Sequence, residues 1–473
     1  MQPDQTALDY IDGNAQQFCE LAMDIWNHPE LGLEETYCAG RLASALAKAG
    51  FTIAENIGGM PTAFTATWGS GEPVIGVLGE YDALPGLSQK AIARKEPVVA
   101  GAPGHGCGHN QLGVASLAAA LSAQAAMEQA GIEGTIVYYG CPAEETLIGK
   151  IFMARAGAFD GLDAALTWHP AGVNTVWRSS SAAMNSFKFN FYGKTAHAGT
   201  APEAGRSALD GVMLTDVGIN YLREHVPASV RIHCVVTQGG EAPNIVPDFA
   251  QVWYYVRAPR RDLVEEVYAR VLDVAKGAAL MSGTRVATEF ITGCYNTLPN
   301  DVLGDVMLAK MKQIGAPRFS KDEIAFAGQI VHTLDPSIVR SELLAMGLSK
   351  AQAGFPICDK VLEEVGGFRK NETEGGSTDV ADVSYCTPTA QFCTACSSTV
   401  TPAHSWQMTA VQGTSIGLKG MIFAAKTLSL SLLAYFQKPE ILTAAREEFT
   451  AATGGKKYVS PLPDGLAPPL KDS

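Results

Sequence analysis

Two histidines and a cysteine lie within five residues of one another in the glycine-rich stretch GHGCGHN, which spans residues 104–110. Imidazole nitrogens and a thiolate are ligands for Zn²⁺ and other first-row divalent ions. The Cys-x-His spacing of Cys107 and His109 is a weak signal alone, because a buried thiol and a histidine at a helix end give the same pattern. By itself this stretch supports a metal site and a structural role about equally.

Other side chains that can bind a metal or transfer a proton occur where apolar runs end: Glu80, Asp82, Glu144, Glu145 and His169. Because parallel strands bring their carboxyl ends to one edge of a sheet, we expect these groups to converge with residues 104–110. Of two adjacent glutamates, one can bind metal while the other stays free as general base for a water molecule. Two adjacent acids are usually a solvated pair, and a histidine after an apolar run is often a core residue. The shared position at strand ends favours a hydrolytic metal site instead.

Composition excludes several classes of partner. The 473 residues include 35 Lys+Arg and 48 Asp+Glu, a net charge of −13, and no basic run, which argues against nucleic acid or an anionic membrane as partner. The N-terminal residues do not have the pattern of a secretory signal, and the most apolar helix-like stretch, 112–127, is too short to cross a bilayer. Ten cysteines follow no framework pattern, so a reducing cytoplasm is the expected compartment.

The elements that must position these groups indicate an α/β fold with a mostly parallel sheet. The apolar runs 73–82, 134–145 and 164–170 are continuous, as in strands buried on both faces. Helical stretches at 107–130 and 149–157 lie between them. This alternation predicts βαβ crossovers, which place all three strand ends at the same edge.

A second pattern interrupts the first. Strands and helices follow the order β-α-β-β-α-β, with elements predicted at 187–197, 205–225, 231–238, 250–258, 261–280 and 285–293. This is the ferredoxin-like arrangement. We predict a catalytic domain formed by residues 1–183 and 297–473, with an inserted domain at 184–296. Within the second part, the segment 300–375 mixes helices with a polar loop, and the Pro-rich run 461–473 is predicted to be an extended or loosely ordered arm.

Longer motifs extend this pattern along the chain: NHPELGLEE (27–35), GEYDALPG (79–86), GHGCGHN (104–110), GCPAEE (140–145), TWHP (167–170), GKTAHAGTAPEAGRSALD (193–210), NIVPD (244–248), GSTDVADVS (376–384) and TPAHSWQ (401–407). With them the chain resembles the aminoacylase/carboxypeptidase family of co-catalytic metallopeptidases, in its amidohydrolase branch. The resemblance implies that Glu144 is the general base. It also implies two divalent ions, Zn²⁺ or Mn²⁺, with the ligands Cys107, His109, Glu145, His169 and His404.

The inserted domain takes its roles from the resemblance, as a lid and dimerisation domain. His197 would be the oxyanion-stabilising histidine that a partner subunit's lid presents. Asn244 and Arg257, on either side of an alternating strand, would hold the substrate's peptide oxygen and terminal carboxylate. Without the resemblance, His197 would be interpreted as a solvated loop residue and Arg257 as a surface arginine. The alternation also predicts that Arg257 shares a face with Tyr255 and Trp253.

One position departs from the wider family, whose exopeptidases have a metal-binding histidine two residues before the aspartate matched by Asp82. This chain has Glu80 there. The amidohydrolase branch shares that loss and uses Cys107 in the metal site instead. Asp82 is therefore assigned to the catalytic site as a group that orients a ligand or bridges the metals.

The resemblance implies hydrolysis of the amide bond of an N-acyl or aroyl amino acid, with p-aminobenzoyl-glutamate as the leading substrate. The working unit would be a homodimer or a heteromer with a related A subunit. Other N-acyl amino acids or dipeptides are alternative substrates, and a non-catalytic regulatory subunit is the alternative of another class. A redox role for Cys393 and Cys396 is less favoured than two buried thiols, because their run is apolar and no helix start follows it.

Overall fold

The computed structural model describes residues 2–470, and its larger sheet has seven strands. In chain order they are β1 (Thr52–Glu55), β2 (Phe64–Ser70), β3 (Val74–Glu80), β4 (Gly134–Cys141), β5 (Ala164–Ala171), β6 (Thr175–Trp177) and β11 (Thr389–Ala395). Their spatial order is β1-β2-β4-β3-β5-β11-β6. The central strands β4, β3, β5 and β11 are parallel neighbours, whereas β1, β2 and β6 pair antiparallel. The parallel centre confirms the α/β prediction, but the sheet is mixed because its short outer strands reverse direction.

Helices cover both faces of this sheet. Alternate residues of β3 and β4 belong to two different core clusters: Val77 and Tyr138 pack on one face, and Leu78 and Tyr139 on the other. Burial of both faces explains why these runs are continuously apolar. The helices are α1 (Pro3–Asn27), α2 (Thr36–Lys48), α3 (His109–Ala130), α4 (Gly149–Arg155), α7 (Asp301–Ile314), α8 (Lys321–His332), α9 (Pro336–Met346), α10 (Val380–Cys386), α11 (Trp406–Gln412), α12 (Ser415–Gln437) and α13 (Pro439–Thr453).

The inserted part forms a separate four-stranded antiparallel sheet in the order β10-β7-β9-β8. Its elements are β7 (Ala183–Tyr192), α5 (Ala208–Leu222), β8 (Arg231–Gln238), β9 (Phe249–Ala258), α6 (Arg261–Ser282) and β10 (Arg285–Cys294). Both helices pack on one face around a core of its own, which includes Phe189 and Val252. The predicted β-α-β-β-α-β order is confirmed, and the limits 1–183, 184–296 and 297–473 stay a prediction.

Among residues 2–470, one helix, α12, is long and apolar enough to cross a membrane by length and composition, but 78% of its most apolar window is buried inside the protein. It packs against α1, α3 and α7. The sequence had pointed instead to 112–127, which lies in α3 and is also mostly buried. Packing in the protein core accounts for the apolar composition of both helices.

The segment between α9 and α10 has no regular secondary structure, yet hydrogen bonds hold it in place. Backbone amides of Arg178 and Ser180 donate to the carbonyls of Phe368 and Glu372, and Glu374 donates back to Ser180. This segment therefore runs alongside the chain that leaves β6, and it ends at α10 beside the catalytic sheet.

The Pro-rich arm is packed rather than loose. Leu462 is buried in the core cluster that contains α4, and the side chain of Arg155 donates to the carbonyl of Leu466 at 2.6 Å. Residues 471–473 of the predicted arm lie outside the described residues.

Candidate active site

The stretch 104–110 forms a tight loop that leads into α3. Gly108 precedes the first helical residue with φ of 85°, a conformation that residues with side chains rarely adopt. A Cβ at Gly108 would lie 2.9 Å from the side chain of Pro170, and one at Gly104 would lie 2.1 Å from the carbonyl of Leu87. The glycines are required by this close packing, which turns Cys107 and His109 toward one point.

The five predicted metal ligands come together in the structure. Cys107 Sγ lies 3.3 Å from His169 Nε2, and His404 Nε2 lies 3.3 Å from Glu145 Oε2. Potential ligand atoms of Cys107, His109 and His169 lie within 4.8 Å of one another, and so do those of Cys107, Glu145 and His404. The two groups meet at the Cys107 sulfur, as neighbouring metal sites would.

The environment of the histidines fixes which nitrogen is free. His109 Nδ1 lies 2.8 Å from Asp82 Oδ1, and His169 Nδ1 lies 2.8 Å from the carbonyl oxygen of Pro170. Since Nδ1 donates in both contacts, Nε2 of each ring is left to face the cluster. Burial lowers the pKa of His169 to about 4, so its ring is neutral near pH 7. Asp82 also accepts from the backbone amide of Glu145 at 2.9 Å, which supports its expected role as an orienting group.

The Glu144–Glu145 pair follows β4 in a short 3₁₀ turn. Ala143, just before the pair, has a positive φ, and its amide donates to Glu35 Oε1 at 2.8 Å. This buried contact sets the direction of the turn. Glu144 Oε2 lies 4.0 Å from His109 Nε2, so the candidate base borders the ligand cluster. Burial, with Glu80 and Asp379 nearby, holds the pKa of Glu144 well above its usual range.

The donor set fits divalent metal ions. The buried atoms without a hydrogen-bond partner within residues 2–470 include Glu80 Oε2, His109 Nε2 and Glu145 Oε1. An unsatisfied buried polar atom costs about 1–3 kcal/mol, and a cation in front of such lone pairs removes that cost. Sulfur, nitrogen and carboxylate oxygen together are ligands for Zn²⁺ or another first-row ion.

Two residues of this site were not predicted from the sequence. Lys150 is fully buried, with its Nζ 2.6 Å from Glu80 Oε1 and 2.5 Å from Asp379 Oδ1. A lysine in a helical stretch usually lies on the solvated face, so nothing in the local pattern marked it. Asp379 lies in the GSTDVADVS motif, but a carboxylate in a polar segment gives no sign of its partner.

The lid candidates are arranged differently. His197 and Asn244 are exposed on adjacent loops, where the amide of Ala198 donates to the Asn244 carbonyl at 3.0 Å. The Nδ1 atom of His197 accepts from the amides of Gly199 and Thr200, at 3.1 and 3.2 Å. Within the described residues, neither side chain has a hydrogen bond or ion pair to the metal-ligand cluster.

Arg257 lies at the other end of β9. At about 3.3 Å per residue, it is roughly 26 Å from the start of that strand, next to which Asn244 lies. Its Nη1 donates to the Gly375 carbonyl at 3.0 Å, four residues before Asp379. The predicted shared face is confirmed, because Trp253, Tyr255 and Arg257 line one cavity of about 390 Å³.

Comparison with known proteins agrees with this architecture. Residues 181–280 match the peptidase dimerisation domain, which corresponds to the four-stranded part. The chain is 41% identical over 472 residues to the B subunit of p-aminobenzoyl-glutamate hydrolase from Escherichia coli K12, covering 98% of both chains. It is 32% identical to Xaa-Arg dipeptidase of Mus musculus, over 67% of this chain and 73% of that protein.

A solved structure shows the same fold. It is a dinuclear metal-binding peptidase of the M20 family from Bacillus subtilis, with a TM-score of 0.55 and 17% identity, covering 88% of this chain and 98% of that chain. Identity of 41% over nearly the whole length of a relative, together with the dimerisation domain, shows that this chain belongs to the M20 family of metal-dependent peptidases and amidohydrolases, the family its motifs had indicated.

Proposed function

We propose that this protein hydrolyses the amide bond of p-aminobenzoyl-glutamate, releasing p-aminobenzoate and glutamate, with two divalent metal ions. The observation that carries the proposal is the ligand cluster itself, which is largely buried except at His404, whose side chain is 54% exposed. The expected ligands and the expected base come from four separate segments of the chain and meet within a few ångströms of one another. The substrate is taken from the name of the relative that is similar over 98% of both chains.

Two overlapping groups of side chains would hold the metals. Cys107, His109 and His169 form one group, and Cys107, Glu145 and His404 form the other. Ions of Zn²⁺ or Mn²⁺ held there would lower the pKa of a water molecule and polarise the carbonyl oxygen of the scissile amide. Asp82 supports both groups, because it fixes the His109 ring and the backbone of Glu145.

Glu144 performs the proton transfers. Its carboxylate borders the ligands without belonging to either of these two groups, so it stays available to accept the proton of the attacking water. It then gives that proton to the leaving nitrogen, which departs as the amine of the amino acid. Because the same carboxylate must accept the proton and return it, one glutamate of the pair must remain off the metal.

Substrate contacts would come from two lids. His197 and Asn244 lie at one end of β9, whereas Arg257 lies at the other and contacts the segment leading to Asp379. One small substrate cannot span roughly 26 Å, the distance that about 3.3 Å per residue gives for this strand. Arg257 therefore serves its own chain's site by binding the terminal carboxylate. His197 and Asn244 serve the site of a partner, where His197 stabilises the charge on the tetrahedral oxygen.

The lid surface supports such pairing. On α5, an apolar stripe is formed by Met213, Val217 and Tyr221, which are 55%, 49% and 77% exposed. On the edge strand β8, Val235 and Val236 are also exposed. Exposed apolar patches of this kind mark interaction sites. The partner is a second copy of this chain or a related A subunit.

A substrate screen tests the proposal. Metal-reconstituted protein is assayed with p-aminobenzoyl-glutamate, with N-acetyl amino acids and with Xaa-Arg dipeptides, since a dipeptidase relative makes the last class the second candidate. Chelation should abolish turnover, and Zn²⁺ or Mn²⁺ should restore it. Preferred cleavage of the dipeptides would replace the proposed substrate, and no cleavage of any amide by metal-loaded protein would refute the proposed function.

A further inference from the structure

Glu80 ends β3, is 2% exposed, and its two carboxylate oxygens have different surroundings. Oε1 lies 2.6 Å from the ammonium of Lys150. Oε2 faces the metal-ligand cluster and lies 3.2 Å from Nε2 of His109. The carboxylate therefore links a buried charge network on one side to the candidate metal site on the other.

The network on the Oε1 side leaves Glu80 little freedom. Lys150 Nζ also contacts Asp379 Oδ1 at 2.5 Å, and the backbone amide of Lys150 donates to Asp379 Oδ2 at 2.8 Å. These contacts tie together the end of β3, the start of α4 and the residue before α10. If Glu80 swung away, Lys150 would lose one of its two carboxylate partners in a fully buried position, which is strongly unfavourable.

On the Oε2 side, the contact with His109 is not a hydrogen bond. Oε2 of Glu80 and Nε2 of His109 are within hydrogen-bond distance, yet neither atom has a hydrogen-bond partner within residues 2–470. His109 uses its Nδ1 proton to bond Asp82 at 2.8 Å. Nε2 is then the ring atom that faces the lone pairs of the carboxylate oxygen. A cation in front of both buried atoms would satisfy them together.

We propose that Glu80 is an additional ligand of the metal ion held by His109, and that Lys150 and Asp379 are positioning residues that aim its free oxygen at that ion. The inference rests on the proposed two-metal site. Potential ligand atoms of Glu80, His109 and Glu144 lie within 4.8 Å of one another. Lys150 occupies only the outer oxygen, so it neutralises part of the buried negative charge and leaves the inner oxygen for the metal.

Direct metal binding tests this role independently of catalysis. Glu80→Gln keeps the shape of the side chain and removes its charge. Full-length protein stripped of metal is titrated with Zn²⁺ and with Mn²⁺ by calorimetry, and bound metal is counted by elemental analysis. We expect the affinity for one of the two ions to fall at least about 10-fold, while the affinity for the other stays the same. Glu133→Gln, an exposed acid before β4, is the matched control.

A folded Glu80→Gln protein that binds both ions as tightly as the wild type would overturn the proposal. If this variant fails to fold, Glu80→Asp carries the same test, because it keeps the charge but is shorter by one methylene and cannot reach both Lys150 and the metal. Wild-type protein that binds no metal would refute the two-metal site itself. Failure to cleave p-aminobenzoyl-glutamate would leave this measurement unaffected.

Lys150→Met separates positioning from simple charge balance. If Lys150 only offsets negative charge, its removal makes the site more negative and metal affinity rises. If it holds Glu80 in place, its loss frees the carboxylate to turn away, and affinity falls. We expect a fall, with cooperative thermal unfolding retained, and a rise would refute the positioning role.

Discussion

The candidate metal-ligand cluster and the lid residues proposed to contact the substrate differ in their surroundings. Cys107, His109 and Glu145 are buried or nearly so. Asp82 hydrogen-bonds to the His109 ring and to the backbone amide of Glu145, and Cys107 contacts His169. His197 and Asn244, in contrast, are exposed on loops and contact mainly their own backbone surroundings. On the proposed assignment, one chain supplies all the metal ligands, whereas His197 and Asn244 face the site of a partner. Substitution of a ligand in the first region should weaken metal binding, whereas substitution of a lid residue should weaken catalysis or substrate binding and leave the metal bound.

The largest effects are expected within the glutamate pair. Glu144→Ala should keep its metal and lose activity by about 10²–10⁴-fold, because it removes proton transfer alone. Glu145→Ala should lose metal as well, since its carboxylate lies against His404. Steady-state kinetics and elemental analysis of both variants check this. If both retain wild-type metal content, the two roles have been assigned wrongly.

Subunit mixing tests whether the lid serves a partner. His197→Ala and Glu144→Ala homo-oligomers should each be nearly inactive. After mixing and subunit exchange, some sites combine an intact Glu144 with an intact His197 from the other subunit, and up to about a quarter of the activity of wild-type sites should return. The assay measures turnover, with exchange followed by a fluorescent label. Full exchange without recovery would mean that His197 acts within its own chain.

Arg257 offers a smaller and more selective effect. Its Nη1 is held by the Gly375 carbonyl, and its Nε has no partner within the described residues. A guanidinium fixed in this way can donate two parallel hydrogen bonds to a carboxylate, an arrangement that the ammonium of lysine cannot form. Arg257→Lys should lower kcat/KM for substrates with a free carboxylate by roughly 30- to 1,000-fold, or about 2–4 kcal/mol. Matching amide substrates should change little, and an equal loss on both would assign Arg257 to the fold or the interface.

The smallest effect is expected for Glu374, in the segment between α9 and α10. This segment contacts Arg257 through Gly375 and Lys150 through Asp379. Burial, with Glu372 nearby, raises the pKa of Glu374 to about 7. The folded state therefore prefers the protonated acid, and its contribution to stability is present below the ordinary pKa of about 4.5 and is lost as pH rises through 7. The free energy of unfolding of Glu374→Gln, compared with that of the wild type, should rise by about 1–2 kcal/mol between pH 4.5 and pH 8, after allowance for partial exposure.

Urea unfolding of both proteins at the two pH values measures this difference, with metal content checked in each. A constant difference would show that Glu374 ionises normally. A difference that appears together with metal loss would instead place Glu374 in the metal site and remove the contrast between the two regions.

Much of this site followed from local sequence. Apolar runs, helical periodicity and the glycines of 104–110 are properties of neighbouring residues, so they fix which strands form and where each ends. Glu144, Glu145 and His169 follow such runs, and parallel strands bring those ends together. The β-α-β-β-α-β order of the lid could be predicted because it too is set by patterns among neighbouring residues.

The rest depended on contacts between residues far apart in the chain. His404 lies in a loop without any local pattern, and only the family resemblance assigned it. Lys150 and Asp379 are 229 residues apart, and their pairing exists only because α4 and the start of α10 pack against the end of β3. A lysine in a helix has the same sequence pattern whether it is solvated or buried, because burial is set by what packs over it. The sequence by itself determined the elements and the chemistry at their ends, whereas tertiary packing decided which charges became partners and which oxygen of Glu80 was left to face the metal site.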